Sequence, residues 1–352
     1  MTAVTRSFVG LASPQLPRAG AGGHPCQGLY WTPEGQRPRV ALIATHYNVD
    51  FAEHYSASYF AARGFGFLGW NTRYRGAEDL FHLEHALADI AVGVRWLREH
   101  GVDTVVLLGN SGGGSLMAAY QAESEDKADL YVSLNAHPGR PEVLTNWMDA
   151  SVADETDPVA TAAALDPFDP RNGPPFSQEF IARYRAAQIS RNHRITQWAQ
   201  FELERLKAAG IPDRIFPLFR TWADLRFIDP AIEPTDRPCP GCYAGPPNFA
   251  NRGPFGIGRS STLRTWLSMW SLETSRCQGP PQLAKLAVPA LVVQSTADMG
   301  VFPSDAHKIH DSIASRDKTL AFVKGAHYFE DSEAHREKAI DLIAHWIRER
   351  TP

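Results

Sequence analysis

The chain lacks any apolar run that approaches the roughly 20 consecutive residues needed to cross a bilayer. It also lacks an excess of basic charge, because 39 acidic and 35 basic residues give a formal net charge of -4, and this argues against a broad nucleic-acid-binding surface. The N-terminal segment MTAVTRSFVGLASPQLPRAG contains no sustained apolar stretch of the kind found in secretory signals. These absences predict a cytoplasmic protein that binds neither membranes nor nucleic acids.

Cysteine is scarce, with four residues in a chain of 352, which is too few for a disulfide framework. Cys239 and Cys242 form a CPGC motif that could supply two of the four ligands of a structural zinc site. No second CxxC or HxxxH motif follows to supply the others. We therefore interpret CPGC as a Pro-Gly turn, and we predict no metal and no organic cofactor.

What the chain does contain is apolar sequence, 43% of its residues, in an alternation of strand-like and helix-like segments. Continuous apolar runs typical of strands buried on both faces include RVALIAT at 39–45 and TVVLL at 104–108. Further strands are predicted at 27–33, 65–71 and 129–135, with helices between them. The alternation predicts an α/β fold with a mostly parallel central sheet flanked by helices.

The alternation stops at residue 136 and resumes near residue 287. The intervening segment is rich in Pro and Gly clusters such as DPFDPRNGPP, separated by helical stretches. After it come a strand at 288–295, a helix near 304–313, a strand at 319–323 and a final amphipathic helix. We therefore expect a core formed by residues 1–135 and 287–352, and a large helical cap, or lid, formed by residues 136–286.

One serine stands among glycines where a predicted strand meets a predicted helix. GNSGGG at 109–114 fits the pattern G-x-S-x-G with Ser111 at its centre. A serine held on a very sharp turn would point its oxygen out of the sheet end, and glycines two residues away on each side would avoid collisions with neighbouring backbone. A phosphate-binding loop is the competing interpretation, but the Lys-Ser/Thr ending is absent.

A serine hydroxyl becomes nucleophilic only when a base takes its proton, and the base needs an acid to orient it. Asp298 follows the apolar strand at 288–295, and His327 lies in the loop after the next strand. The end of the strand at 129–135 is an alternative position for the acid. It offers Asn135 and His137 instead of a carboxylate, so Asp298 is favoured. Asp305 lies in the helix after Asp298, where we expect it to cap or solvate that helix.

The order Ser111, Asp298, His327, each after a strand, resembles that of the α/β-hydrolase-fold serine hydrolases. The resemblance covers about residues 27–135 and 288–352. It implies an α/β-hydrolase fold in which Ser111 is the nucleophile, His327 the general base and Asp298 the orienting acid, with no metal.

An oxyanion hole is also implied. The backbone N–H of Gly112 should be one donor. The second normally comes from the loop after the strand at 39–45, which here reads THYNVDF and contains no glycine. In cocaine esterase and prolyl-peptidase-like enzymes a tyrosine hydroxyl on this loop serves, and Tyr47 holds a similar position. The alternative is that the backbone N–H of Tyr47 or Asn48 donates while the ring only packs.

The segment 136–286 is rich in aromatic residues, some of which we expect to face a substrate. Trp147 and Trp222, together with His46 and Asn48 of the oxyanion loop, are the candidate substrate-binding residues. Four arginines crowd one predicted helix, where they form either a carboxylate clamp or a solvated face. These are Arg183, Arg185, Arg191 and Arg194.

We therefore expect a serine hydrolase that cleaves a carboxylic ester or lactone of a hydrophobic or aromatic small molecule through an acyl-enzyme. The alternatives are a peptidase or amidase, a C–C bond hydrolase acting on a ring-fission product, and a ligand-binding receptor that retains the fold without turnover. The expected partner is a small-molecule substrate, and a homodimer is compatible with the sequence.

Overall fold

The computed structural model describes residues 3–14 and 25–351, which cluster into two compact units. Unit 1 contains the residues up to Ala77, Leu83–Gly139 and the residues from Gln278 onward. Unit 2 contains Arg140–Cys277 together with a short segment, Glu78–His82, that lies far from the rest of the unit in sequence.

The described residues form an eight-stranded sheet in unit 1 and a two-stranded sheet in unit 2. The strands are β1 Val4–Leu11, β2 Cys26–Pro33, β3 Val40–Ala44, β4 Gly66–Asn71, β5 Thr104–Ser111, β6 Leu130–Ala136, β7 Ile215–Pro217, β8 Ser260–Thr262, β9 Ala290–Ser295 and β10 Lys318–Val323. The large sheet has the order β1-β2-β4-β3-β5-β6-β9-β10. Pairing from β4 to β10 is parallel, while β2 pairs antiparallel with both β1 and β4. The predicted mostly parallel sheet is confirmed.

Helices connect the strands, and those of unit 1 cover the large sheet. They are α1 Ala57–Ala62, α2 Leu83–Glu99, α3 Gly113–Glu123, α4 Arg140–Trp147, α5 Gln178–Ala208, α6 Pro247–Arg252, α7 Leu263–Thr265, α8 Gly279–Leu283, α9 Pro303–Ser312 and α10 Glu333–Arg348. Among these, α4 to α7 belong to unit 2 and the others to unit 1.

The apolar strands of unit 1 are covered on both faces because alternate side chains point to opposite sides. On one face, Leu42 and Ala44 of β3 share a core with residues of α1 and α10, including Phe60 and Ile343. On the other face, Ile43 reaches α2 so closely that a Cβ on Gly93 would lie 2.9 Å from its Cδ1. This double coverage explains why these strands read as continuous apolar runs.

Two local expectations differ from the structure. The strand β1 was not predicted, because it lies at the sheet edge with Phe8 61% exposed, so its sequence carries little apolar signal. Between the strands predicted at 39–45 and 65–71, the helix expected from FAEHYSASYFAARG at 51–64 is helical only in α1. Its first residues form turns instead, and the backbone N–H of Phe51 donates to Oδ1 of Asn71 at 2.9 Å.

Unit 2 is built around the long helix α5, which begins where the hydroxyl of Ser177 accepts a hydrogen bond from the backbone N–H of Phe180. The side chain of Arg191 is fully buried and is bound by Glu155 at 2.7 Å. Trp147 and Trp222 stack with ring centroids 4.7 Å apart, and both are buried. The interior of unit 2 thus combines paired charges with aromatic packing.

In the described part of the chain, no helix combines the length and apolar character that a membrane span requires.

Candidate active site

The turn at Ser111 is the most constrained feature at the carboxyl edge of the sheet. Ser111 ends β5 with φ 55°, a left-handed conformation that non-glycine residues rarely adopt. A Cβ on Gly109 would lie 2.6 Å from Cα of Gly114, and one on Gly113 would lie 2.3 Å from the carbonyl oxygen of Thr45. The expected sharp turn, and the need for glycine two residues before and after the serine, are confirmed.

The buried side chain of His54 holds the residue that precedes this turn. Nδ1 of His54 accepts hydrogen bonds from the hydroxyl and the backbone N–H of Ser56, so Nε2 carries the proton. Nε2 then donates to Oδ1 of Asn110 at 3.0 Å, and Nδ2 of Asn110 donates to the carbonyl oxygen of Leu134 at 2.7 Å. Asn110 immediately precedes Ser111, so this chain of bonds fixes the end of β5 against β6.

Burial lowers the pKa of His54 to about 4, only partly offset by the hydrogen bond to Asn110. The ring therefore stays neutral and keeps the tautomer that the chain of bonds requires. This support was not expected from the sequence, where His54 had no assigned role. The only signal was a histidine shortly after β3.

Asp298 and His327 form a buried, hydrogen-bonded pair. Oδ2 of Asp298 lies 2.6 Å from Nδ1 of His327, and both side chains are buried. Oδ1 of Asp298 accepts hydrogen bonds from the backbone N–H groups of Gly300 at 2.8 Å and Val301 at 3.0 Å. With both carboxylate oxygens held, the carboxylate can orient the imidazole ring and stabilise its protonated form.

Asn135, at the end of β6, links the loops that carry this pair. Its Oδ1 accepts a hydrogen bond from the backbone N–H of Ser295 at 2.7 Å, and its Nδ2 donates to the backbone carbonyl of His327, also at 2.7 Å. Asn135 is fully buried and has φ 44°, a conformation that asparagine tolerates better than most residues. The sequence analysis noted only that this position holds no carboxylate.

Ser111 belongs to the same edge. Its carbonyl oxygen accepts a hydrogen bond from the backbone N–H of His137 at 3.0 Å, and the His137 ring centroid lies 6.2 Å from that of His327. Because β5, β6, β9 and β10 are adjacent and parallel, their carboxyl ends lie side by side. The structure thus gathers Ser111, Asp298 and His327 at one edge of the sheet.

The loop after β3 contacts the start of α3. Tyr47 is fully buried, and its hydroxyl lies 3.0 Å from Oγ of Ser115 in α3. The ring therefore packs in the interior and ties the loop to the helix that follows Ser111. Gly112 is buried at the N-cap position of α3, where backbone N–H groups point out of the helix.

His46 and Asn48 organise the same loop. Nδ1 of His46 accepts a hydrogen bond from the backbone N–H of Val49 at 3.2 Å and a longer one from that of Asn48 at 3.4 Å. The carbonyl oxygen of Asn48 accepts a hydrogen bond from the backbone N–H of Gly76 at 2.8 Å. These contacts shape the loop, and a role for either residue in substrate binding stays a prediction.

Five other residues noted in the sequence contact neighbouring groups of their own unit. Oδ2 of Asp305 accepts a hydrogen bond from the backbone N–H of Phe302 at 3.0 Å, which confirms that it caps α9. The thiols of Cys239 and Cys242 lie against backbone carbonyls. Within residues 3–14 and 25–351, no three His, Cys, Asp or Glu side chains are grouped to hold a metal ion. Trp147 and Trp222 belong to the interior of unit 2, and their assignment to substrate binding is also still a prediction.

Comparison with known proteins gives a fold. No family model and no curated protein matches the chain. Solved structures do match, among them the α/β hydrolase GrgF from Penicillium sp. sh18, at 14% identity and TM-score 0.52, over 96% of this chain and 97% of that one. A soluble variant of monoglyceride lipase from Saccharomyces cerevisiae matches at 14% identity and TM-score 0.51, over 97% and 96%. DcsB, in complex with its substrate analogue, matches at 15% identity and TM-score 0.51, over 92% and 94%. The chain therefore has the α/β-hydrolase fold.

The buried neutral His54 predicts a loss of stability in mild acid. Its folded-state pKa of about 4 lies below the value near 6.5 of the unfolded chain, so the unfolded chain binds the proton first as the pH falls. The contribution of His54 is complete above pH 6.5 and declines toward pH 4. At pH 5 it should be about 2 kcal/mol smaller than at pH 7.5.

Urea unfolding of the wild type and of His54→Gln at pH 7.5 and pH 5 measures this effect. Glutamine can donate to Asn110 but does not titrate. The gap in unfolding free energy between the two proteins should move by about 2 kcal/mol in favour of the variant on acidification. A gap that does not depend on pH would contradict the assignment.

Proposed function

We propose that the protein is a serine hydrolase that cleaves a carboxylic ester or lactone of a hydrophobic or aromatic small molecule through an acyl-enzyme. The observation that carries the proposal is the buried Asp298–His327 pair, with 2.6 Å between Oδ2 and Nδ1, at the sheet edge where Ser111 occupies its left-handed turn. A protein that only binds ligands has no need of a strained serine together with an oriented histidine.

In the proposed reaction, Oγ of Ser111 attacks the carbonyl carbon while Nε2 of His327 takes its proton. Asp298 holds Nδ1 of His327 and stabilises the imidazolium that forms. The imidazolium then gives its proton to the leaving alkoxide, and the acyl group stays on Ser111. A water molecule, deprotonated by the same histidine, hydrolyses this ester and regenerates the free serine.

Negative charge on the former carbonyl oxygen requires donors, each of which contributes about 3 kcal/mol of transition-state stabilisation. We propose the backbone N–H of Gly112 as one donor and a group of Tyr47 as the other. Because the Tyr47 ring is fully buried and its hydroxyl lies 3.0 Å from Oγ of Ser115, we favour its backbone N–H over its hydroxyl. The packed ring then fixes the position of the loop.

An ester substrate is favoured over the alternatives by its leaving group and by the sequence of the oxyanion loop. A peptidase or amidase must protonate a poorer leaving group than an ester hydrolase does. C–C bond hydrolases have a glycine in the oxyanion loop, whereas the corresponding loop here, THYNVDF, contains none. That residues 136–286 form a lid, and that the protein acts in the cytoplasm, remain part of this proposal.

Removing the nucleophile tests the proposal directly. Wild-type protein should form a covalent adduct with a fluorophosphonate on Ser111 and hydrolyse p-nitrophenyl esters, while p-nitroanilides stay intact. Ser111→Ala should abolish the adduct and lower ester turnover at least about 1,000-fold. Ser124→Ala, a matched change at the end of α3, should leave both unchanged. Ester turnover that survives in Ser111→Ala, or folded protein that never reacts, would reject the proposal, and robust anilide cleavage would favour the amidase.

Substitution of Tyr47 shows whether its hydroxyl or its backbone N–H is the second oxyanion donor. Tyr47→Phe keeps the ring and the backbone N–H but removes the hydroxyl, so kcat should stay within about threefold while the unfolding free energy falls by about 1 kcal/mol through the lost contact with Ser115. Ser115→Ala removes the same contact from the other side and should destabilise similarly. A fall in kcat of about 100-fold in Tyr47→Phe alone would instead assign the donor role to the hydroxyl.

We propose that Asn135 is a positioning residue, because its amide joins the strand before Asp298 to the carbonyl of His327. Asn135→Gly accommodates φ 44° but loses both hydrogen bonds, so kcat for ester hydrolysis should fall about 10- to 100-fold through misplacement of the base, with KM within about twofold. Asn135→Asp keeps an acceptor for Ser295 but removes the donor to His327, and it should show a similar loss in kcat. Wild-type kcat in both variants would show that the amide has no positioning role.

A further inference from the structure

Unit 2 contains a cavity that the proposed reaction does not use. Its volume is about 460 Å³, within the range of roughly 300–1,000 Å³ typical of small-molecule sites. One part of its lining is a face of α5 that carries Arg194, Ile195 and Trp198, and another part is the chain around β7, including Phe216 and Leu218. The lining is predominantly apolar with a few polar groups, which is the usual character of a binding site for an organic ligand.

The aromatic groups of this cavity are held in place from behind. Phe216 is buried, and its ring packs edge-on against Trp198 at 5.1 Å and against Trp266 at 5.8 Å. Trp198 nevertheless remains 38% exposed, unlike the other tryptophans of unit 2 that form its interior. An indole that is fixed on one side and open on the other offers a flat surface on which a ring or alkyl chain can pack.

The charges around the cavity favour an anion. Arg214 is bound by Glu202 at 2.8 Å and lies over the ring of Trp198, and Glu155 is bound by the buried Arg191 at 2.7 Å. Arg194 differs from these, because its Nη1 donates to Oγ of Ser190 and no carboxylate of the described residues forms an ion pair with it. Its positive charge at the cavity is therefore uncompensated.

The four arginines of α5 differ in whether a carboxylate pairs with them. Arg185 is bound by Asp224 at 2.7 Å, Arg191 is bound by Glu155, and Arg183 lies 4.0 Å from Glu179 on the exposed surface. These three are therefore not a joint carboxylate clamp. Arg194 alone combines a free charge with a position at an apolar cavity.

We propose that this cavity in unit 2 binds a small apolar carboxylate, such as an aryl or medium-chain alkyl carboxylate, with its apolar body against Trp198 and Phe216 and its carboxylate at the guanidinium of Arg194. Arg194 is exposed, so its guanidinium is accessible to a ligand, and the planar guanidinium can pair with both oxygens of a carboxylate. None of the residues named for this site takes part in the proposed hydrolysis, and the proposal does not depend on it.

Isothermal titration with two probes of nearly equal shape tests the site. Naphthalene-2-carboxylate should bind with a dissociation constant of about 0.1–1 mM, as expected for a ligand of this size. The neutral 2-naphthylmethanol, which no hydrolase can cleave, should bind at least about fivefold more weakly because it lacks the charge. The same titration after fluorophosphonate labelling of Ser111 should be unchanged, so a failure of the proposed reaction and a failure of this site can be told apart.

Variants identify the residues. Arg194→Gln should abolish the preference for the carboxylate but leave binding of the alcohol as it was. Arg183→Gln, a matched change at an exposed arginine of the same helix, should behave as the wild type. Trp198→Leu should weaken binding of both probes, and it should reduce the quenching of tryptophan fluorescence that we expect naphthalene-2-carboxylate to cause in the wild type.

Three outcomes would overturn the proposal. These are no binding of the carboxylate at concentrations of several millimolar, equal affinity for the two probes in wild-type protein, and loss of binding when Ser111 is labelled. Far-ultraviolet circular dichroism of Arg194→Gln and Trp198→Leu shows that each variant is folded. Both residues are at least partly exposed, so these substitutions do not open a hole in the interior.

Discussion

The left-handed turn at the end of β5 is the constraint on which the rest of the site depends. With φ 55° at Ser111, the chain leaves the strand and enters α3 within two residues, which places the serine ahead of the free N–H groups of that helix. The strained conformation persists only because the surroundings leave no other path. Gly113 touches the carbonyl of Thr45, so the loop after β3 and the start of α3 fix each other.

The neighbouring strand, β6, also has a residue with positive φ near its end, in this case an asparagine. Asn135 is the penultimate residue of β6 and has φ 44°. Its amide oxygen accepts a hydrogen bond from the backbone of β9, and its amide nitrogen donates one to the backbone carbonyl of His327. Asn110 does the same one strand away, between His54 and β6. Each of these amides is buried with its donor and its acceptor engaged, which is the condition under which buried polar groups give rigidity. These two asparagines thus organise the edge of the sheet at which Ser111, Asp298 and His327 lie.

Much of this could be predicted from the sequence, and the reason is local. Parallel strands buried on both faces have continuous apolar runs, and a sharp turn between strand and helix requires glycines around Ser111. A short stretch of sequence is therefore enough to predict β3, β5, β6, β9 and this turn. The positions of Asp298 and His327 followed because strand ends in a parallel sheet meet at one edge. The edge strand β1 left no such signal, since its residues are largely exposed and pair on one side only.

What could not be predicted depends on contacts between residues distant in sequence. His54 and Asn110 are 56 positions apart, and Asn135 and His327 are 192 apart, so no window contains both partners. The composition of a helix likewise does not reveal which of its arginines finds a carboxylate. Arg191 and Arg194 are one turn apart on α5, yet one is fully buried against Glu155 and the other faces a cavity without an acidic partner. An arginine at an apolar cavity can therefore be assigned to ligand binding only when the structure shows whether a carboxylate of the protein already pairs with it, because a paired guanidinium is no longer available to a ligand.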